Sequence, residues 1–373
     1  MYALVAIVRD EADRIGGFLD SAMRHCGAAT VVDTGSVDAT MEILRARAEA
    51  DPRISVSERP FDDFGAARSD AFAKARGTGS WVLALDCDMT VTVDDGFDPN
   101  VCKNCGSSRC DALRSITRGR PPEFGSCCRD CMHPDAWMIR MGNGGDFEYR
   151  LPLLLRGDLP WQSTGCVHEY TNLPDRAYTS MPTDRVRVTY PDRSSPAKSA
   201  WHASLLEADL AAHPDNARTV FYLANSYRDL GRLDEARSLY RQRAAMGGFA
   251  EEAFYSAYRA AILDPWPERA ASLMAAWEMR PARLEPLHVL LRDLNAHGLH
   301  SAAYRLSEVN LEPSGDTLFV HREAWTWGIK FERSIAMHWV GDRGEAYRLM
   351  DELLADPNLP PHIREATQRN RNL

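Results

Sequence analysis

The chain opens on a short apolar run, Leu4 to Val8, that stops at Arg9-Asp10-Glu11; a run of that length bounded by charge predicts a buried strand. Ile15, Phe18, Leu19, Ala22 and Met23 then recur at the spacing of one helix face. Thr30-Val31-Val32 predicts a second strand. Asp38-Ala39-Thr40 opens a helix whose apolar face carries Met41, Leu44 and Ala48, with Asp38 as its expected N-cap. Ile54 to Val56 reads as a third strand, Phe64 to Ala75 as a helix, and Trp81 to Leu85 as a fourth strand. Strands alternating with helices in this way predict a parallel sheet with helices on its faces. Ligands of such sheets sit beyond the carboxyl ends of the strands. Here those ends carry Arg9-Asp10-Glu11, Asp33 and Asp86.

From about Ser199 the pattern changes. Leu223, Ala224, Tyr227, Gly231, Ala236 and Tyr240 have the offsets of a tetratricopeptide repeat, a helix-turn-helix unit of about 34 residues. Further units fit over Ala257, Ala260, Ala270, Leu273, Ala276 and Pro281, over Leu290, Leu291, Gly298, Ala303 and Pro313, and more loosely over Trp339, Gly341, Ala346, Met350 and Pro357. The plainer alternative is a helical domain with chance placement of Ala and Gly. The expected division is an α/β domain over 1–195, with a Cys-rich insert at 101–133, and an all-α repeat domain over 196–373.

A chain of 373 residues with 45% hydrophobic content can bury ample core in two domains without needing metal or disulfides for stability. A net charge of −9 argues against a broad nucleic-acid face, although a local basic patch is compatible with it. The opening apolar run is too short for a signal-peptide core, and no stretch approaches the length of a membrane span. A soluble, cytoplasmic protein with reduced thiols is therefore expected.

Asp33-Thr34-Gly35-Ser36 places a carboxylate at a strand end before a Gly-Ser turn into a helix, which suits a ribose or base but also occurs as a plain turn. Asp86-Cys87-Asp88 is sharper. Two acids one residue apart at the end of an apolar strand can share a hard divalent cation and the phosphates that it bridges.

With Ile7-Val8-Arg9-Asp10-Glu11, Asp33 to Thr40, Phe64-Gly65-Ala66-Ala67-Arg68 and Asp86-Cys87-Asp88 in this order, the first 90 residues resemble glycosyltransferase family 2, inverting enzymes of GT-A fold. The resemblance implies a nucleotide-diphosphate sugar as donor and Mn²⁺ or Mg²⁺ as cofactor. Asp33 would contact the base, with Gly35, Arg9, Glu11 and Arg68 near the nucleotide, while Asp86 and Asp88 would hold ribose, metal and diphosphate. Ser69 stands where many relatives carry Asn, and Met89 where many carry Glu. Arg150 to Arg156 and Gly165-Cys166-Val167-His168-Glu169 resemble a later part of the family, which makes His168 a candidate third metal ligand. Its plainer role is a hydrogen bond within the core. An inverting transfer needs one general base, expected after Asp88; Glu169 is favoured and Asp146 second, with Glu148 also an acid of that region.

Of nine cysteines, six lie between Cys102 and Cys131. Cys102-x-x-Cys105 and Cys128-x-x-Cys131 match a structural Zn²⁺ site with four thiolates, with Cys110, Cys127 and His133 as rivals and disulfides as the alternative. The insert also carries Lys103, Arg109, Arg114, Arg118, Arg120 and Arg129, and it is expected to shape acceptor recognition. Repeats of the C-terminal kind offer a concave face to peptides, so a protein or peptide is the favoured acceptor, with homodimerisation also open. Two other readings stand beside it: a modified nucleic-acid base as acceptor, and a repeat scaffold whose transferase domain is inactive.

Overall fold

The computed structural model describes residues 2–101, 134–142, 148–191, 195–309, 312 and 319–372. Cys102, Cys105, Cys128 and Cys131, their rivals Cys110, Cys127 and His133, and Asp146 and Pro313 lie outside the described residues. The chain divides into two units, Met1–Ser194 and Ser195–Leu373.

Unit 1 begins as the pattern predicts. Strands Tyr2–Val8 (β1), Cys26–Asp33 (β2), Ile54–Glu58 (β3) and Trp81–Ala84 (β4) alternate with helices Ile15–Ala22 (α1), Thr40–Ala50 (α2) and Phe64–Ala75 (α3). The strands Thr90–Val93 (β5), Ala136–Gly142 (β6), Glu148–Arg156 (β7), Gln162–Thr164 (β8), Tyr170–Asn172 (β9) and Ser180–Thr189 (β10) follow. One sheet runs β3-β2-β1-β4-β7-β6-β10-β5, and β8 pairs with β9 apart from it. The first four strands are parallel neighbours. Beyond β4 the expected parallel sheet needs correction: β7 runs antiparallel to β4 and to β6, and β5 antiparallel to β10. The link between β6 and β7 is too short to house a crossover helix, so the chain turns back on itself.

Successive residues of β1 face opposite sides, and both sides are covered. Leu4, Ala6 and Val8 pack with Ile15, Phe18 and Leu19 of α1 and Leu44 of α2. Val5 and Ile7 pack with Ala67, Ala71, Phe72 and Ala75 of α3. The strand ends are thereby fixed between two apolar layers. Asp38 sits one residue further from its helix than expected, since α2 begins at Thr40 and Ala39 is the N-cap. Its carboxylate still accepts from the first helical N–H, that of Thr40, at 2.9 Å.

Unit 2 is a succession of helices: Pro196–Ala212 (α4), Ala217–Asp229 (α5), Leu233–Ala245 (α6), Ala250–Ile262 (α7), Glu268–Met279 (α8), Glu285–Ala296 (α9), His300–Leu306 (α10), Ile329–Val340 (α11), Arg343–Ala355 (α12) and Pro361–Arg371 (α13). A π-helical turn, Ala324–Gly328, leads into α11. The pairs α5–α6, α7–α8, α9–α10 and α11–α12 coincide with the four expected repeat units. Their anchors Leu223, Ala224, Ala236, Leu273, Ala276, Leu291, Ala303, Ala346 and Met350 are buried, and the small alanines let partner helices approach. Gly231, Gly298 and Gly341 close three of the four turns with φ of +74°, +72° and +101°, a region that glycine enters without strain. Trp339 departs from the pattern at 62% exposure, stacked on His300. No helix among the described residues is long and apolar enough to cross a membrane.

Within unit 2 the buried guanidinium of Arg243 donates to Glu252 at 3.1 Å and to the carbonyl of Gly247 at 2.7 Å. Removing Glu252 leaves that charge buried without its counter-ion. Glu252→Ala is expected to lower stability in urea by about 3–5 kcal/mol, whereas Asp234→Ala, which breaks only an exposed pair with Arg237, is expected to change it by under about 1 kcal/mol.

In unit 1, burial alone would raise the pKa of Asp135, but bonds from Arg176 and Thr179 outweigh it and hold the carboxyl below the usual range. A carboxylate lowered in the folded state stabilises the fold above its unfolded pKa, and that contribution disappears as pH falls through the folded value. Asp135→Asn is expected to be less stable at neutral pH and to lose less stability on acidification below about pH 4, read from urea midpoints across pH.

Candidate active site

The ends of β1 and β2 are joined by polar side chains rather than apolar packing. Asp33 closes β2 and is only 1% exposed. Its Oδ1 accepts from the backbone N–H groups of Gly35 and Ser36, both at 2.8 Å, and its Oδ2 from the Ser36 hydroxyl at 2.5 Å. Ser36 Oγ in turn accepts from the N–H of Asp10 at 2.8 Å, and Asp10 Oδ1 accepts from the N–H of Val37 at 2.7 Å. Thr40 Oγ1 accepts from the N–H of Glu11 at 2.7 Å, and Asp38 Oδ2 from that of Ala12 at 3.1 Å. The two strand-end loops are thus stitched in both directions. Gly35 has φ of +100°, which permits the tight turn that brings two N–H groups onto one oxygen. As placed, the Asp33 carboxylate organises its own loop. Arg9 stands at the rim, half exposed, with its guanidinium 5.8 Å from the Phe61 ring centre. Glu11 is paired with Arg14, and Val37 is 90% exposed.

At the end of β4, Asp86 and Asp88 are half-buried while Cys87 between them points into the core. Burial pushes the Cys87 thiol up to about 12, so it remains a neutral core group. Arg68, from the second turn of α3, donates from Nη2 to Asp86 Oδ1 at 2.7 Å and from Nε to Glu169 Oε1 at 2.8 Å. Burial opposes the charge of Arg68, but the two carboxylates overcome that and raise its pKa. Tyr149 lies within electrostatic reach of Asp86. Burial first, then its bond with Tyr190 and the Asp86 charge, push its phenol up.

Glu169 reaches Arg68 because α3 is fastened to the loop that precedes it. The N–H groups of Phe64 and Gly65 donate to the carbonyls of Cys166 and Gly165, at 3.2 and 3.1 Å. Ser69 Oγ donates to the Ser163 carbonyl at 3.1 Å and accepts from the Ser163 N–H at 2.9 Å. Ser69, visible in the sequence only as a departure from the family's Asn, therefore clamps both backbone groups of one residue, Ser163. A Cβ on Gly65 would stand 2.7 Å from the Gly165 carbonyl oxygen. Neither contact has a local sequence signal, because the partners are nearly a hundred residues apart.

His168 is exposed and has a positive φ of 53°. It does not join Asp86 and Asp88 in a three-ligand set: among the described residues no group of three or more His, Cys, Asp or Glu side chains is placed to hold a metal ion. Two carboxylates nonetheless fit a cation of the Mg²⁺ or Mn²⁺ kind. Such ions take one or two acids from the protein and their remaining oxygens from phosphate and water. Asp86 suits this, since its side chain is 43% exposed and Arg68 engages only one of its oxygens. Glu148 is the first residue of β7.

Residues 7–95 match the profile of glycosyl transferase family 2. A TPR repeat-containing protein of Synechococcus elongatus is 41% identical over 92 residues, which cover 25% of this chain and 21% of that protein; the chain thus spans about a fifth of its relative's length. Among solved structures, residues 1–349 of TarS from S. aureus in complex with UDP align at 13% identity and a TM-score of 0.31, covering 92% of each chain. The MamA protein aligns at 17% identity and a TM-score of 0.35, covering 48% of this chain and 88% of its own. Scores this low do not establish a shared fold. The resemblance to family 2 holds over the matched segment, and the helices of unit 2 form TPR-like pairs.

Gly65→Ala is expected to destabilise unit 1 by about 1–3 kcal/mol, because backbone rather than a flexible side chain meets the added carbon. Gly17→Ala on α1 meets nothing within 4 Å and is expected to stabilise by about 0.5–1 kcal/mol. Urea midpoints of the two variants should move in opposite directions.

Proposed function

We propose that unit 1 is an inverting glycosyltransferase that moves a sugar from a nucleoside-diphosphate donor to a hydroxyl of an acceptor. The observation that carries the reading is the pair Asp86 and Asp88 at the tip of β4, separated by β1 alone from the strand that ends in Asp33, and inside the family 2 segment. In this reading, Asp86 and Asp88 hold Mn²⁺ or Mg²⁺, which when bound neutralises the departing diphosphate. Asp33 acts by fixing its loop, so that Gly35 and the rim residues Arg9 and Glu11 face the nucleotide. The end of β1 and the end of β2 then offer a nucleotide a surface that is already set.

Deprotonation of the acceptor hydroxyl falls to an acid beyond β4; Glu169 is bonded to Arg68, and Asp146, which lies outside the described residues, is the candidate kept for this step. A polypeptide is the acceptor class that best suits a chain whose second unit is built of TPR-like helix pairs, since such stacks bury their cores between neighbours and leave long faces for extended ligands. Solution binding decides the donor question directly. In Mn²⁺, one of the common nucleoside diphosphates at about a hundred times its Kd is expected to stabilise the wild type by about 2.7 kcal/mol. That corresponds to a rise in melting temperature of roughly 5 °C or more. The rise should vanish in Asp88→Ala. A wild type that responds to none of them, or a variant that responds equally, contradicts the reading.

A further inference from the structure

Arg68 holds the carboxylate on which the donor reading depends, and Glu169 holds Arg68. The two contacts use different nitrogens of one guanidinium, Nη2 toward Asp86 and Nε toward Glu169, so the three side chains form a relay rather than a cluster around a point. Its two ends differ in exposure. The Asp86 side chain is 43% exposed, Arg68 12% and Glu169 14%. The open end of the relay is Asp86, and Glu169 lies at its sheltered end. The backbone supports the same order: the helix that carries Arg68 is bonded at Phe64, Gly65 and Ser69 to the loop that delivers Glu169.

From this geometry, and building on the donor reading above, we propose that Glu169 is a positioning residue. Through Arg68 it aims Asp86 so that one carboxylate oxygen stays open to a divalent cation, and it is not the group that deprotonates the acceptor. Arg68 alone beside Asp86 would neutralise it and compete with a cation for the same oxygens. Shared between two carboxylates, the one positive charge leaves the trio with a net charge of −1 (one cation, two anions), and Asp86 is the member of the trio most open to water.

A base that serves the acceptor and a residue that tunes Asp86 differ in what they do to binding, before any turnover. The test is calorimetry of wild type, Glu169→Gln and Glu169→Asp with UDP, GDP, CDP, ADP and dTDP, each with and without Mn²⁺. The neutral Gln variant is expected to bind the Mn²⁺-loaded diphosphate about tenfold more weakly, and the metal-free diphosphate as well as wild type or better, because the site has become more positive. Opposite responses of the two arms separate this effect from misfolding, which weakens both. Glu169→Asp keeps the charge and is expected to recover most of the Mn²⁺-dependent affinity. Unchanged Mn²⁺-dependent binding in Glu169→Gln, within about twofold, overturns the proposal and returns Glu169 to the acceptor side; so does a loss shared by both arms. A wild type that binds none of the five brings down the donor reading separately. The proposal then stands or falls on Mn²⁺ alone, followed by the free-ion paramagnetic resonance signal, with the same tenfold weakening expected in Glu169→Gln.

Discussion

One guanidinium has two carboxylates to satisfy in a half-buried setting, and three distant stretches of chain must be in place together for it to do so. Arg68 comes from α3, Asp86 from the end of β4, and Glu169 from the residue before β9. Removing Arg68 leaves two carboxylates in partial shelter from water without their shared counter-charge, which is the costly state for ionised groups in proteins, whereas removing either carboxylate leaves the guanidinium one partner. The sheet brings α3 and β4 together through the apolar face shared by Ala67, Ala71, Val82 and Ala84. The loop is brought in by backbone bonds instead, and those require Gly65 to have no side chain.

The first half of unit 1 was legible because its determinants are local. Short continuous apolar runs set β1 and β2, one-face helical spacing set α1, and strand ends follow from where the apolar runs stop. The position of Asp86 and Asp88 just past the end of β4 was readable for the same reason. The directions of β7 and β6 were not, since they are decided by pairings between strands far apart in the chain. The pairing of Glu169 with Arg68 was hidden on similar grounds. A residue beside a histidine in a loop gives no hint that its partner is an arginine 101 positions earlier. In unit 2, glycines and alanines at the helix turns and crossings marked the pairs correctly, because a repeat writes the same packing problem several times.

Asp33 shows how a motif residue can matter without meeting a ligand. Its oxygens accept three hydrogen bonds from two residues of the turn, Gly35 and Ser36, and the Ser36 hydroxyl accepts in turn from the N–H of Asp10. The turn chemistry first judged the plainer explanation and the ligand-facing explanation are therefore compatible. A carboxylate that fixes a loop fixes whatever the loop presents.

That stitching also constrains how the molecule can change over generations of sequence. Asp10, Ser36, Asp38 and Thr40 each accept a bond from the neighbouring loop, and Ser36 and Thr40 also donate within their own. An isolated replacement at one of them leaves its partner's amide unmatched. Outward residues such as Val37 and Arg9 can be replaced more freely, because their side chains take no part in the mesh of backbone amides. Sequence is free to drift at those two positions while the scaffold beneath them stays fixed.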